Sequence, residues 1–83
     1  MSYVPPPDRL GGFPDARRVK GKTVMGGGGK VRRRWVDDGN IYEWDYQHGR
    51  VEKYNRRGGH LGEFDPESGV QTKMVDPSRS IEP

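Results

Sequence analysis

From Trp35 onward the chain is written in short runs of alternating polar and apolar residues, each closed by turn formers. Alternation puts successive side chains on opposite faces of an extended strand, whereas a helix would need apolar residues three and four apart. The turn Asp37-Asp38-Gly39-Asn40 leads into Ile41–Asp45, the clearest strand. Gln47-His48-Gly49 bends the chain into a return strand, Arg50–Tyr54, which the loop Asn55-Arg56-Arg57-Gly58-Gly59 closes. His60–Phe64 is a third strand. In Asp65-Pro66-Glu67-Ser68-Gly69, proline presets φ and glycine accepts a positive one, so the chain turns into a fourth strand, Val70–Val75, ended by Asp76-Pro77. Strands joined by turns this short pair with their neighbours. The expected fold is therefore mostly β: a small, highly twisted antiparallel meander.

The first part of the chain reads differently. Pro5-Pro6-Pro7 favours extended geometry, and Gly11-Gly12, Pro14 and Gly26–Gly29 interrupt any long helix. At most one short helix is expected, around Asp15–Lys20. Residues 1–29 are read as a flexible, basic Pro/Gly-rich arm or linker and residues 30–83 as the functional domain. Only 29% of the 83 residues are hydrophobic, so the core must be thin and carried by aromatic side chains, each able to remove roughly 150–250 Å² from water. The expected core is Trp35, Ile41, Tyr42, Trp44, Val51, Leu61, Phe64, Val70 and Met74.

Cysteine is absent, which excludes a disulfide framework and a thiolate zinc site. No stretch reaches the roughly 18 apolar residues of a spanning helix, and no stable membrane association is expected. The N-terminus lacks the apolar core of a signal peptide, so any export address is expected outside these residues, and Met1-Ser2 is read as a start added to a fragment. The net charge of +3 conceals an asymmetry: residues 1–34 carry nine Lys/Arg against two Asp, residues 35–83 six Lys/Arg against ten Asp/Glu. A basic arm beside an aromatic-rich body suits an RNA-directed protein, with attraction from the arm and discrimination from the body, and charge alone fits a solubilising basic tail equally well.

Chemistry concentrates on the hairpin. Asp45 ends one strand, His48 sits in the bend and Glu52 lies early in the return strand. Paired strands run about 5 Å apart, so the three side chains are expected to converge at one end, with Arg50, Glu52 and Tyr54 sharing a face opposite Val51 and Lys53. An imidazole and two carboxylates suffice for proton-transfer catalysis. RNA cleavage needs that inventory: the ribose 2′-OH loses a proton, the departing 5′-oxygen gains one, and the phosphorane between them needs positive charge. Arg79 and Lys73 are candidates for that charge, Arg79 with a fork that can grip two oxygens. A metal site on Asp45, His48 and Glu52 would lack a second histidine, so no metal or other cofactor is expected. His60 reads as a structural or surface residue, and Arg56-Arg57 as a solvated turn or a phosphate contact. Gly26–Gly29 with Lys30 is no phosphate loop, because Val31 stands where Ser or Thr should hold a cation; it reads as a hinge. One Trp44-Asp45 pair does not make a propeller.

A resemblance sharpens this. Lys30-Val31-Arg32-Arg33-Arg34-Trp35, Ile41-Tyr42-Glu43-Trp44-Asp45, Gln47-His48-Gly49, Glu52, Tyr54, His60-Leu61-Gly62, Phe64-Asp65-Pro66, Ser68-Gly69, Gln71, Lys73 and Asp76-Pro77-Ser78-Arg79 resemble the C-terminal cytotoxic ribonuclease domain of colicins and cloacin. The match is firm from about Gly27 to Ile81. It implies a metal-independent endoribonuclease that cuts 16S ribosomal RNA in the decoding centre and stops translation. By the same resemblance Asp45, His48, Glu52 and Arg79 are catalytic: Glu52 is the general base, His48 the general acid, Asp45 holds the imidazole and Tyr54 supports them. Tyr54, Lys73, Arg50, Trp44, Arg56 and Arg57 are expected to bind substrate. An acidic immunity protein is the implied partner, facing Arg32–Arg34, Arg56, Arg57 and Arg50. The implied setting is the C-terminal part of a larger secreted or delivered toxin, a bacteriocin or contact-dependent inhibition protein, acting in the target cytoplasm. Two departures stand out. Arg50 occupies a position that is acidic in colicins, and the chain ends Ile81-Glu82-Pro83 instead of in a basic tail.

Two other classes compete. A non-catalytic RNA- or ribosome-binding module would stack bases on Tyr42, Trp44 or Tyr54 and leave 16S RNA intact. A metal-dependent DNA nuclease would lose activity in a chelator and degrade plasmid.

Overall fold

The computed structural model describes residues 3–25 and 29–83. Six strands form one antiparallel sheet whose spatial order equals chain order: β1 (Arg17–Val19), β2 (Arg34–Asp37), β3 (Asn40–Asp45), β4 (Arg50–Asn55), β5 (His60–Phe64) and β6 (Gln71–Lys73). The meander read from alternation is present, and no helix occurs among the described residues. Where a short helix was expected, Arg17–Val19 pairs with Val36, Trp35 and Arg34 as β1. The hinge expected over Gly26–Gly29 lies, apart from Gly29, outside the described residues, as do Met1 and Ser2.

The pleat sorts the sheet into two unlike faces. On one lie Trp35, Tyr42, Trp44 and Val51, each at most 3% exposed, with Leu10 at 1%. Composition marks residues 1–29 as a linker, yet Val4, Leu10, Phe13 and Ala16 pack on this face. The reason is that a one-layer sheet needs a cover, and these few apolar residues of the arm supply it. The two indoles tie it down: Trp44 Nε1 donates to the Val4 carbonyl at 2.8 Å and Trp35 Nε1 to the Asp8 carbonyl at 3.0 Å. Phe13 lies 4.7 Å from the Tyr42 ring and 5.7 Å from Phe64, and Lys53 Nζ caps all three rings at 5.2–5.7 Å. Val70 and Met74 do not join this core; they are 62% and 83% exposed, because β6 is a three-residue edge strand with no layer over it.

The other face carries charge. Cross-strand register lines up Arg34, Glu43, Glu52, Glu63 and Lys73 in one row over β2 to β6. Arg34, Glu43, Glu52 and Glu63 in that row are nearly sealed from solvent. Part of their cover is the C-terminal segment from Asp76, which crosses this face as a strap, while Thr23 meets Glu43 and Thr72 meets Glu63. His60 N–H donates to the Arg79 carbonyl at 3.2 Å, Ile81 N–H to Gly58 at 2.9 Å and Arg34 Nη2 to the Glu82 carbonyl at 2.9 Å. Gly58 is required twice over. Its φ is +88°, and a Cβ there would run into the Ile81 carbonyl of the strap.

Candidate active site

The β3–β4 bend is built by one carboxylate. Asp45 Oδ1 accepts the Gln47 N–H at 2.9 Å and the His48 N–H at 3.4 Å, an Asx turn that Gly49 completes at φ +68°. The other oxygen, Oδ2, accepts from His48 Nδ1 at 2.7 Å. This fixes the tautomer: Nδ1 carries hydrogen, and Nε2 is left to face outward on a side chain 53% exposed. Burial pushes the Asp45 carboxyl up, but the His48 side-chain hydrogen bond, the Gln47 backbone bond and the His48 charge outweigh it, holding it below the ordinary carboxylate range.

A second pair stands farther along the same face. Glu52 Oε1 meets His60 Nε2 at 2.7 Å, and both side chains are buried, 7% and 3% exposed. His60 Nδ1 accepts the Asp76 N–H at 2.9 Å, so the hydrogen must sit on Nε2 and the ring is neutral; the contact is a hydrogen bond and not an ion pair. The charge partner of Glu52 is Arg79, whose Nη1 lies 3.3 Å from the same oxygen. Arg79 Nη2 also donates to the Tyr54 hydroxyl at 3.1 Å. Burial pushes the Tyr54 hydroxyl up and it stays protonated; the Arg79 guanidinium is held charged despite its own burial by Tyr54 and Glu52. Oε2 of Glu52 enters none of the hydrogen bonds among the described residues.

Asp45 lies opposite Arg50, and Glu43 opposite Glu52, so Asp45 and Glu52 are diagonal neighbours about 7–8 Å apart. Two anchored groups therefore flank a gap: an imidazole Nε2 at the bend and a carboxylate oxygen beneath the strap, with a guanidinium beside it.

The profile of a family described as Cytotoxic matches residues 4–82. The chain belongs to the Cytotoxic family. It is 45% identical over 84 residues to cloacin of Escherichia coli, covering 95% of this chain and 15% of that protein. Colicin-E6 and colicin E3 of the same organism are each 44% identical, with the same coverage. The cytotoxic domain thus spans about 15% of the length of these bacteriocin relatives.

Within the cytotoxic domain the expected site residues fall into three groups. Asp45 and His48 meet directly, and Glu52, Arg79 and Tyr54 meet directly, but Glu52 pairs with His60 where the hairpin alone suggested His48. Arg50 lies across from Asp45, its Nη1 3.5 Å from the His48 carbonyl, and Lys73 is exposed opposite Glu63. Arg56 and Arg57 are exposed in the β4–β5 turn. Trp44 is corrected: it is 3% exposed on the opposite face with its indole N–H on Val4, so it offers substrate no surface. Arg34 is also corrected as a partner-facing cation, because it is 2% exposed with Nη2 2.8 Å from Glu43. Of the two expectations for His60, structural or surface, the structural one fits: the ring is buried at the site with both nitrogens engaged. Glu63 escaped the sequence reading. The group with cation-binding geometry is Asp45, His48 and Glu63, whose ligand atoms lie within 4.8 Å of one another, in place of the trio with Glu52.

Proposed function

We propose that this domain is a bacterial toxin ribonuclease that cleaves 16S ribosomal RNA in the decoding centre by metal-independent transphosphorylation. The observation that carries the reading is the anchored His48 ring, its Nε2 free, standing diagonally across one face from a Glu52 oxygen that is also free. Glu52 takes the proton of the 2′-OH as O2′ attacks phosphorus. His48, entering as the imidazolium with hydrogen on both nitrogens, gives its Nε2 proton to O5′ as the P–O5′ bond breaks, leaving a 2′,3′-cyclic phosphate, a 5′-hydroxyl and a ring that keeps its Nδ1 hydrogen on Asp45. Arg79 spends two N–H groups on Glu52 and Tyr54 and keeps others for the phosphorane oxygens. Asp45 holds the imidazole; Tyr54 holds Arg79 and makes no base contact of its own. Arg50, Lys73, Arg56 and Arg57 supply phosphate contacts around the cleft.

The stacking module fares worse on a specific observation: Tyr42, Trp44 and Tyr54, its three platforms, are 1%, 3% and 2% exposed. The parent would be a larger toxin carrying this domain at its C-terminus into the cytoplasm of a target bacterium, with an acidic immunity protein protecting the producer. Primer extension on 16S RNA from treated ribosomes tests the activity. A single stop in the decoding centre, unchanged by chelator, is expected; intact RNA at excess protein, or cleavage abolished by chelator, overturns it.

A further inference from the structure

Arg32 is a half-buried cation that the proposed reaction does not use. Its backbone N–H donates to the Thr23 carbonyl at 2.8 Å and its Nη1 to the Trp44 carbonyl at 3.0 Å, so the side chain is held at both ends. A guanidinium has five N–H donors, and the others of Arg32 enter none of the hydrogen bonds among the described residues. It also forms no ion pair among them. A cation anchored in this way and left without an anion is already positioned for a ligand that brings one.

The side chain lines a cleft of about 340 Å³ between residues 23–25 and the strap, together with Thr23, Glu43, Tyr54, Arg79 and Ser80. The other charges there are matched. Glu43 pairs with Arg34 at 2.8 Å, and Arg79 pairs with Glu52 at 3.3 Å. The Tyr54 hydroxyl stays protonated and neutral. One positive charge is therefore left over, in a recess whose walls screen it less than open water would. The planar fork of a guanidinium fits two oxygens of a phosphate at once. Arg79 belongs to this cleft and also touches Glu52 and Tyr54, so the cleft opens directly from the site of the proposed cleavage. That continuity favours the RNA strand over a protein carboxylate as the source of the anion.

We propose that the cleft between residues 23–25 and the strap is a second phosphate subsite, in which the fork of Arg32 grips a backbone phosphate flanking the one to be cut. The role rests on the ribonuclease reading for its place in the reaction, but it is a binding role and is measurable without cleavage. Arg32 is assigned to substrate here, where the sequence placed it toward an acidic partner. Its neighbour Arg33 serves a different place: its Nη1 donates to the Pro7 carbonyl of the arm, on the apolar face.

The measurement is the affinity of the domain for a short RNA oligonucleotide with 2′-O-methyl groups, which cannot be cut, followed by fluorescence anisotropy over a range of salt. Arg32→Gln is expected to weaken binding roughly tenfold, as when one charge-assisted hydrogen bond is lost. The slope of log affinity against log salt should become shallower by about 0.7, the share of one phosphate contact on a single strand. Arg33→Gln removes the same charge from the adjacent position and should change both much less. Arg32→Lys keeps the charge without the fork, so the slope should persist while affinity falls. With ribosomes, Arg32→Gln should raise KM and leave kcat nearly unchanged, because the contact is the same before and during the reaction. Equal losses in Arg32→Gln and Arg33→Gln reduce the effect to overall charge and overturn the subsite. Unmoved binding and KM in a folded Arg32→Gln also overturn it and return Arg32 to an acidic partner. If that variant does not fold, unmoved affinity in Arg32→Lys is the overturning result. A domain that binds the oligonucleotide through Arg32 but cuts no ribosomal RNA would retire the ribonuclease reading and leave the phosphate subsite standing.

Discussion

The molecule contains two histidine–carboxylate pairs with the same 2.7 Å separation and opposite surroundings. At the bend, His48 is half in solvent and uses one nitrogen on Asp45. Beneath the strap, His60 is sealed and uses both nitrogens, one on Glu52 and one on the Asp76 backbone. A ring with a free nitrogen at the surface can exchange a proton with a substrate; a ring with both nitrogens committed can only hold its neighbours in place. The roles cross over in the carboxylates. The acid of the exposed pair spends both oxygens on the bend, whereas the acid of the buried pair keeps one oxygen outside the hydrogen bonds of the described residues.

The contrast breaks most sharply at activity. His48→Ala, and separately Glu52→Gln, should each lower ribosome cleavage by about 10²–10⁴-fold with circular dichroism unchanged, one from each pair. Near-wild-type cleavage by either folded variant removes that residue from the mechanism. The next effect is on stability. His60→Ala leaves the Asp76 N–H unpaired and the buried Glu52 with Arg79 alone, and should cost about 1–3 kcal/mol in urea denaturation, while His48→Ala costs little. Equal losses in the two variants would erase the distinction between the pairs.

Smaller still is the effect of fork geometry. Arg79→Lys keeps the charge but cannot serve Glu52, Tyr54 and a phosphorane together, and cleavage should fall roughly tenfold, as when one charge-assisted hydrogen bond is lost. Full activity would reduce Arg79 to a general phosphate contact. The slightest effect concerns acid. Asp45 is held below its ordinary value in the folded state, so the folded domain binds fewer protons there than the unfolded chain. Its contribution is present above about pH 4 and is lost as pH falls below it. Asp45→Asn should therefore flatten the acid limb of a stability–pH curve below pH 4, and an unaltered limb would show that the bend gains nothing from this carboxylate.

The parts of this arrangement differ in how far the sequence discloses them, and the reason is distance along the chain. The β3–β4 hairpin and the Asp45–His48 contact are local, set by alternation and by a turn whose capping residue is three positions from its histidine. Leu10 and Phe13 looked like strays in a Pro/Gly stretch because their partners, Trp35, Tyr42 and Phe64, lie far downstream and no period connects them. The placement of His60 and Glu63 was hidden for another reason. Their neighbours depend on register, and the β4–β5 pairing shifts between Lys53 and Tyr54, so counting along the strands does not place them. Exposure of Val70 and Met74 was equally illegible, since an edge strand and an inner strand share one alternating pattern.

Sheet order equal to chain order carries a mechanical consequence. Each strand is bonded only to strands adjacent in sequence, so tension on a chain end is borne by one ladder at a time, and its hydrogen bonds open singly instead of being sheared together. Drawn from the C-terminus, the strap leaves first and takes Arg79 with it; drawn from the N-terminus, the arm peels away and bares the two indoles. The domain thus opens from its ends, one ladder after another, and the last ladder to close is β1 on β2, whose strands are set apart by residues 20–33.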